Sequence, residues 1–312
     1  MKKGLVISAF ILLIIGLGFL IFTSKKGGNE TPPGRLSKAI ELNRRGTELA
    51  RAGQVDSAIA LFIEALKLDP KLVEANNNLG AALNSKGMMD SAIIVLRSAI
   101  RMKKDYAEAY YNLAKSFFEK REYDSAMVYV KQGLDIKPTD GGAWLLYGDC
   151  FDRKGKYAQA ESLYYKADSL LPNTFRILYA IGNSLVSQGR HKEAIQYYLR
   201  ACSLEPDNPN GWNNLGVAYA ASNQYTLAIG AFIKSLKLKS DYATAWVNLG
   251  LAYENLGYHK KASDMLANYL KYADKDAPDI KFMTDKVKEL SGMKDDQDTL
   301  LPDTLLKFEI KK

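Results

Sequence analysis

The chain has 312 residues, of which 47% are hydrophobic and 25% charged, and carries a net charge of +8. Such a composition suits a folded chain and excludes wholesale disorder. Four lysines, Lys2, Lys3, Lys25 and Lys26, bracket one apolar run and the remaining excess is spread thinly, which is not the clustered footprint of a nucleic-acid-binding protein.

The first element is that apolar run. Leu5 to Phe22 contains no charge, and a helix of that length measures about 27 Å at 1.5 Å per residue, enough to span the hydrocarbon core of a bilayer. A cleaved signal peptide is the alternative. Against it stand the length of the run, the lack of an Ala-x-Ala site and the lack of a cysteine for lipidation. Residues 1–26 therefore read as a signal anchor with one transmembrane helix at about 5–22. Lys2, Lys3 and the free amino group are balanced by Lys25, Lys26, Arg35 and Lys38, so the positive-inside comparison is close to a tie. The exported orientation of the repeats is expected because the short basic N-terminus resembles signal anchors of the bacterial inner membrane that stay inside. The stretch TSKKGGNETPPG, with paired glycines and paired prolines, reads as a linker through residues 27–34.

From here the chain repeats itself. Ala58, Ala92, Ala126, Ala160, Ala194, Ala228 and Ala262 recur at a constant step of 34 residues. Gly46, Gly80, Gly148, Gly182, Gly216 and Gly250 keep the same step, with Ala114 in the remaining place. Small residues at both positions allow two helix axes to approach closely. Large residues alternate with them: Leu79, Leu113, Tyr147, Ile181, Leu215 and Leu249 just before the glycine position, and Phe62, Leu96, Val130, Tyr164, Tyr198, Phe232 and Leu266 four residues after the alanine. Each period predicts two amphipathic helices joined by a short turn, and a fixed period of this size predicts stacked units rather than one compact core.

This pattern resembles the tetratricopeptide repeat, whose signature is Trp, Leu-Gly, Tyr, Gly, Ala, Phe, Ala and Pro at set offsets. The fold implied is all-α: a right-handed superhelical α-solenoid of seven helix pairs, at 39–72, 73–106, 107–140, 141–174, 175–208, 209–242 and 243–276. Departures fall at the ends. Arg45 occupies a core leucine slot in the first unit, and Tyr269 and Asp274 replace a small residue and the proline in the last. Ile280, Met283, Val287 and Leu290 then form a one-sided stripe that predicts a capping helix at 277–291. Gly292 ends it, and residues 292–312 are expected to be a disordered tail that contains a tandem, DTLLP followed by DTLLK, from Asp298 to Lys307.

No enzyme signature interrupts the repeats, so neither catalysis nor a cofactor is expected. Cys150 and Cys202 occupy slots that take small or apolar residues, and His191 and His259 fill the slot of Tyr123, Tyr157 and Tyr225, so all four read as packing residues and no metal-ligand spacing exists.

The resemblance implies a groove lined by the first helix of each pair, where an asparagine just before Leu-Gly can bond the backbone of an extended peptide. Asn78, Asn112, Asn214 and Asn248 match, and the row breaks at Leu146 and Ala180. Around the break, Tyr111, Phe118, Leu145, Tyr179 and Val186, with Arg176, form either an aromatic pocket for a partner side chain or ordinary helix packing. The lysine, asparagine and arginine set with which some family members grip acidic chaperone C-termini is not present in any three consecutive units. The expected function is a membrane-tethered, non-catalytic scaffold or adaptor binding other proteins. The alternatives are a self-assembling structural component of an envelope complex, and a regulatory subunit recruiting substrates to a separate enzyme.

Overall fold

A computed structural model describes residues 33–295. Among these residues there are fifteen helices and no strands. They are α1 (Pro33–Arg51), α2 (Val55–Leu68), α3 (Val73–Ser85), α4 (Met89–Met102), α5 (Ala107–Glu119), α6 (Tyr123–Ile136), α7 (Gly141–Arg153), α8 (Tyr157–Leu170), α9 (Phe175–Ser187), α10 (His191–Leu204), α11 (Pro209–Ala221), α12 (Tyr225–Leu238), α13 (Ala243–Asn255), α14 (His259–Tyr272) and α15 (Ile280–Ser291). Odd-numbered helices up to α13 are the first members of the pairs, and even-numbered ones the second. The chain forms two compact units that divide between Lys156 and Tyr157, so α1–α7 belong to one and α8–α15 to the other.

The helix pairs depend on a tight contact at one glycine. A Cβ placed on Gly216 would stand 2.5 Å from the Phe232 ring, and the same test gives 2.7 Å for Gly46 on Phe62, 2.4 Å for Gly80 on Leu96, 2.5 Å for Gly182 on Tyr198 and 2.8 Å for Gly250 on Leu266. A real Cβ cannot sit there, so the first helix must present hydrogen where the second presents its largest side chain. The third pair solves the problem the other way: Ala114 and Val130 are both fully buried, and the smaller valine leaves room for the methyl group. The alanine from Ala58 to Ala262 is 0% exposed in all seven pairs.

The turn within each pair is equally periodic. Gly53, Gly87, Gly155, Gly189 and Gly257 have φ between 72° and 77°, and Arg121 (62°) and Asn223 (60°) hold the same place. This is the left-handed residue that ends a helix, where glycine is free of strain, asparagine is tolerated and arginine is not favoured.

Links between successive pairs differ in the two units. In the first, Lys86 reaches Asp56 (2.9 Å), Lys120 reaches Asp90 (2.9 Å) and Lys154 pairs with Asp124, the aspartate always in the first turn of a second helix. In the second, the lysine and aspartate slots carry Gln188 and Ala158 and a different cluster forms. Glu161, 7% exposed, accepts from Tyr165 (2.8 Å), Gln188 (2.8 Å) and Arg190 (2.6 Å). Both units also use an indole or amide at the first helix to hold the preceding loop: Trp144 donates to the Pro138 carbonyl, Trp212 to Pro206 and Trp246 to Ser240, each at 2.8 Å, and Asn76 stands in that slot facing Pro70.

The ends explain the sequence departures. Arg45 is exposed, since among the described residues no pair lies ahead of α1 to bury that slot, although its counterparts Leu79 and Leu113 are fully buried. Tyr269 is 7% exposed and its hydroxyl donates to both carboxylate oxygens of Asp279 (2.8 and 2.7 Å), anchoring α15 where an internal pair would need a small residue. Met283 and Leu290 of α15 are buried, Ile280 and Val287 half-buried, and the Ser263 hydroxyl donates to the Val287 carbonyl at 3.1 Å. The first helix starts at Pro33, inside the stretch expected to be linker, because proline suits the first helical position, where no N–H is needed. The apolar run Leu5 to Phe22 and the tandem motif lie outside the described residues; among the described residues no helix is long and apolar enough to cross a membrane.

The glycine contact yields a prediction. Gly216→Ala should cost about 1–3 kcal/mol through overpacking against Phe232. Because Ala114 with Val130 is a working version of the pair, Gly216→Ala combined with Phe232→Val should cost at least about 1 kcal/mol less than the sum of the single changes in urea denaturation. Simple additivity would show that the glycine is not set by this contact.

Glu161 yields another. Burial pushes its carboxyl up, but hydrogen bonds from Gln188, Tyr165 and Arg190 prevail and hold it below its ordinary value of 4.5. A depressed native value stabilises the fold fully above the ordinary value, and the contribution fades as pH falls through the native one. Glu161→Gln should therefore be less stable than the parent at pH 7, and the gap should shrink on acidification below pH 4.5. A gap independent of pH would mean that the charge of Glu161 contributes nothing.

Candidate functional site

The ladder asparagines of the first helices are buried or half-buried and joined into chains of side-chain hydrogen bonds. In the first unit Asn112 Nδ2 donates to Asn77 Oδ1 (2.9 Å), Asn77 Nδ2 to Asn78 Oδ1 (3.4 Å), and Asn78 Nδ2 to Asn43 Oδ1 (3.0 Å) and Thr47 Oγ1 (3.3 Å). In the second unit Asn248 Nδ2 donates to Asn213 Oδ1 (3.2 Å), Asn213 Nδ2 to Asn214 Oδ1 (3.1 Å), and Asn214 Nδ2 to the Tyr179 hydroxyl (2.8 Å) and Asn183 Oδ1 (2.9 Å). The Tyr198 hydroxyl also donates to Asn183 Oδ1 at 2.6 Å. One rule covers both: an asparagine bonds the residue 35 positions earlier, one first helix back.

This geometry gives the asparagines a second occupation. Both amide protons of Asn78 and of Asn214 are engaged inside the protein, since an amide nitrogen has two to give. By the same rule position 146 would bond Tyr111, but Leu146 has no amide. The break in the row is thus a break in a physical ladder between first helices.

Asn77 (6% exposed) and Asn213 (3%) are the ladder members that the Leu-Gly rule alone misses. Their signal is the doubled asparagine in NNNLG and WNNLG. Asn183 and Thr47 complete the ladder on the same helix face.

The other predicted site residues divide between the units. In the first, Tyr111 and Phe118 are half-buried against a cluster of Ala114, Val130, Leu134, Ala143 and Leu146, and Leu145 is 7% exposed. In the second, Tyr179 is half-buried, stacked on Phe175 (centroids 5.4 Å) and edge-on to Tyr198 (5.9 Å). Burial pushes its hydroxyl above the ordinary tyrosine range, keeping it neutral as the acceptor for Asn214. Val186 is half-buried and Arg176 exposed. Within the predicted set, Asn214 and Tyr179 touch directly through a hydrogen bond, while Asn78 with Asn112, and Asn214 with Asn248, are linked through Asn77 and Asn213.

Cys150 and Cys202 are fully buried, and burial pushes both thiols up to about 12, which suppresses the nucleophilic thiolate. His191 and His259 begin α10 and α14 as half-buried residues. Among the described residues no cluster of His, Cys, Asp and Glu could hold a metal ion.

Comparison with known proteins agrees with the helix geometry. Profiles described as tetratricopeptide repeat match residues 43–107 and residues 107–140, 141–174 and 243–276, and a profile described as TPR repeat matches residues 182–222 and 218–257. No curated protein matches the chain. Among solved structures, PilF of Pseudomonas aeruginosa superposes with a TM-score of 0.61 at 17% identity, over 68% of this chain and 96% of that one. A tetratricopeptide repeat protein of Parabacteroides merdae gives 0.57 at 16% identity, over 81% of this chain and 99% of that one. YrrB, described as a TPR protein with an unusual peptide-binding site, gives 0.53 at 21% identity, over 61% and 97%. At these identities the structures speak for the fold alone. With its helix pairs, its periodic glycine contacts and profile matches running from residue 43 to 276, the chain belongs to the tetratricopeptide repeat family.

Proposed function

We propose that the protein is a non-catalytic scaffold or adaptor that holds an extended segment of another protein along the first helices of its repeats, and that Leu5 to Phe22 tethers it to a membrane with the repeats exported. Tetratricopeptide repeats in general mediate protein–protein interaction. The observation that carries the finer reading is the half-buried amide ladder. A row of polar side chains recurs at the spacing of the first helices in each unit, flanked by half-buried aromatic rings and by the exposed Arg176. A ligand laid along such a row meets the same chemistry at every step, which suits the repeating backbone of an extended peptide.

The division of labour follows from the hydrogen bonds. Asn78 and Asn214 spend both donors on the first helix before their own, and their Oδ1 atoms accept from Asn77 and Asn213, so they set the spacing of the row. Selectivity then falls to the places where the ladder is interrupted, at Tyr111 and Leu145, and to the ring of Tyr179 and the charge of Arg176. Aromatic and arginine side chains are the usual anchors of protein interfaces.

With the partner recovered by cross-linking in native membranes, Tyr111→Ala and Tyr179→Ala should each weaken binding by about 2 kcal/mol or more, roughly thirtyfold, while Asn248→Ala should cost less. Tyr179 also accepts a hydrogen bond, so its loss will lower the melting temperature as well. Arg176→Glu reverses an exposed charge, so it should weaken association by more than its effect on the melting temperature accounts for. Native affinity in all three variants overturns the reading.

The tether is tested on its own. A spanning helix satisfies its backbone internally and resists carbonate extraction, so the full-length chain should stay with the membrane pellet. A soluble form beginning after Phe22 would show that the segment is removed.

A further inference from the structure

The junctions between repeats differ in what fills one pair of slots. In the first unit an aspartate, the second residue of α2, α4 or α6, meets a lysine at the end of the next first helix. Between α10 and α11 of the second unit the same slots carry Lys192 and Ser222, so the sign of one is reversed and the other is neutral. A cleft of about 430 Å³ opens there, lined on one side by Arg190, His191 and Lys192 and on the other by Ser222 and Asn223. Within it, Ser222 Oγ and His191 Nδ1 are shielded from solvent and form no hydrogen bond among the described residues. Shielded polar atoms of this kind are unfavourable unless something completes them.

The charges narrow the ligand. Arg190 is already held by Glu161 (2.6 Å) and by both carboxylate oxygens of Glu193 (2.8 and 2.7 Å). Lys192 is exposed and forms no ion pair among the described residues, which leaves it as the uncompensated charge of the cleft. The seventh pair shows what suits such a place. There α14 starts with the same two residues, His259 and Lys260, and α15 packs on α14 as α11 packs on α10. The chain leaving α15 brings Asp295, whose Oδ1 accepts from the Lys260 N–H at 2.9 Å. The chain leaving α11 brings Ser222 and Asn223 instead, and neither is acidic.

We propose that the cleft between α10 and α11 binds an aspartate or glutamate side chain of a partner protein. Its carboxylate accepts from the Lys192 N–H and the Ser222 hydroxyl and is neutralised by the Lys192 ammonium, a set of charge-assisted bonds. The volume lies within the range of small-ligand sites and admits one such side chain with its backbone. The site is at the turns and outside the row of asparagines, so it goes beyond the peptide-binding reading above and stands or falls without it.

The test uses the full-length chain in mild detergent and its two histidines, His191 in the cleft and His259 beside the carboxylate of Asp295. With ring-labelled histidine each gives its own NMR signal, and His259→Tyr assigns them, tyrosine being the residue of that slot in α6, α8 and α12. An acetylated, amidated Gly-Asp-Gly peptide should shift the His191 signal saturably and leave that of His259 in place, whereas Gly-Asn-Gly should shift neither. Lys192→Ala should weaken the response about two- to fivefold, as befits an exposed ion pair. Lys192→Asp with Ser222→Lys installs the pair that the first unit uses, so it should keep the fold and abolish the response. Lys192→Glu changes only an exposed side chain and should also abolish it, which serves if the double variant fails to fold. An unmoved His191 signal, an equal response to the asparagine peptide, or a response that survives Lys192→Glu overturns the assignment. So does a response to inorganic phosphate, at equal ionic strength, without one to the aspartyl peptide, because the site would then take a free anion.

Discussion

Everything else in this protein depends on how closely the two helices of a pair approach. That distance is set where a first helix offers only hydrogen to a phenylalanine, leucine or tyrosine of the second, with a would-be Cβ as near as 2.4 Å. Close approach carries the fully buried alanine with it and leaves the next first helix within reach of side-chain amides. The pair Ala114 with Val130 shows that the constraint is on the sum of two side chains rather than on glycine itself.

On that frame the two units use different chemistry for the same task. The first joins its repeats at the turns with exposed lysine–aspartate pairs, each contributing little on its own because both charges remain hydrated. The second concentrates the link in one buried carboxylate with three donors, where each hydrogen bond to charge counts for more and the loss of any partner costs more. Both units share the amide ladder. An amide ladder is neutral and short in reach, so it fixes spacing without adding field.

Most of the fold is legible in the sequence, because periodic residues are held by periodic contacts. The alanine row, the glycine row and the turn residues at Gly53 through Gly257 all sit where a step of 34 residues places them. The end residues are legible as exceptions, and Arg45 and Tyr269 each mark a missing neighbour. The candidate site is harder to read. An asparagine that bonds a peptide and one that bonds the helix before it occupy the same place in the sequence, and only the distance from Asn214 to Tyr179, or from Asn78 to Asn43, separates the two roles. Asn77 and Asn213 are legible only once the ladder is known, since the positions 34 residues after Asn77 and on either side of Asn213 carry Tyr111, Tyr179 and Val247, which breaks any periodic signal. The start of α1 at Pro33 is missed because two prolines read as linker, although the second of them suits a helix start.

Tyr269 bears on how such an array can change length in evolution. Growth at the C-terminal end would require that tyrosine to become a small residue and so to give up its hold on Asp279. Duplication of an internal repeat meets no such barrier, since a second copy of residues 209–242 would bring its own glycine, its own alanine and an asparagine 35 positions from an acceptor. The repeat number of this chain is therefore free to drift from within while its terminus stays closed, and lineages that differ in length should differ in the middle.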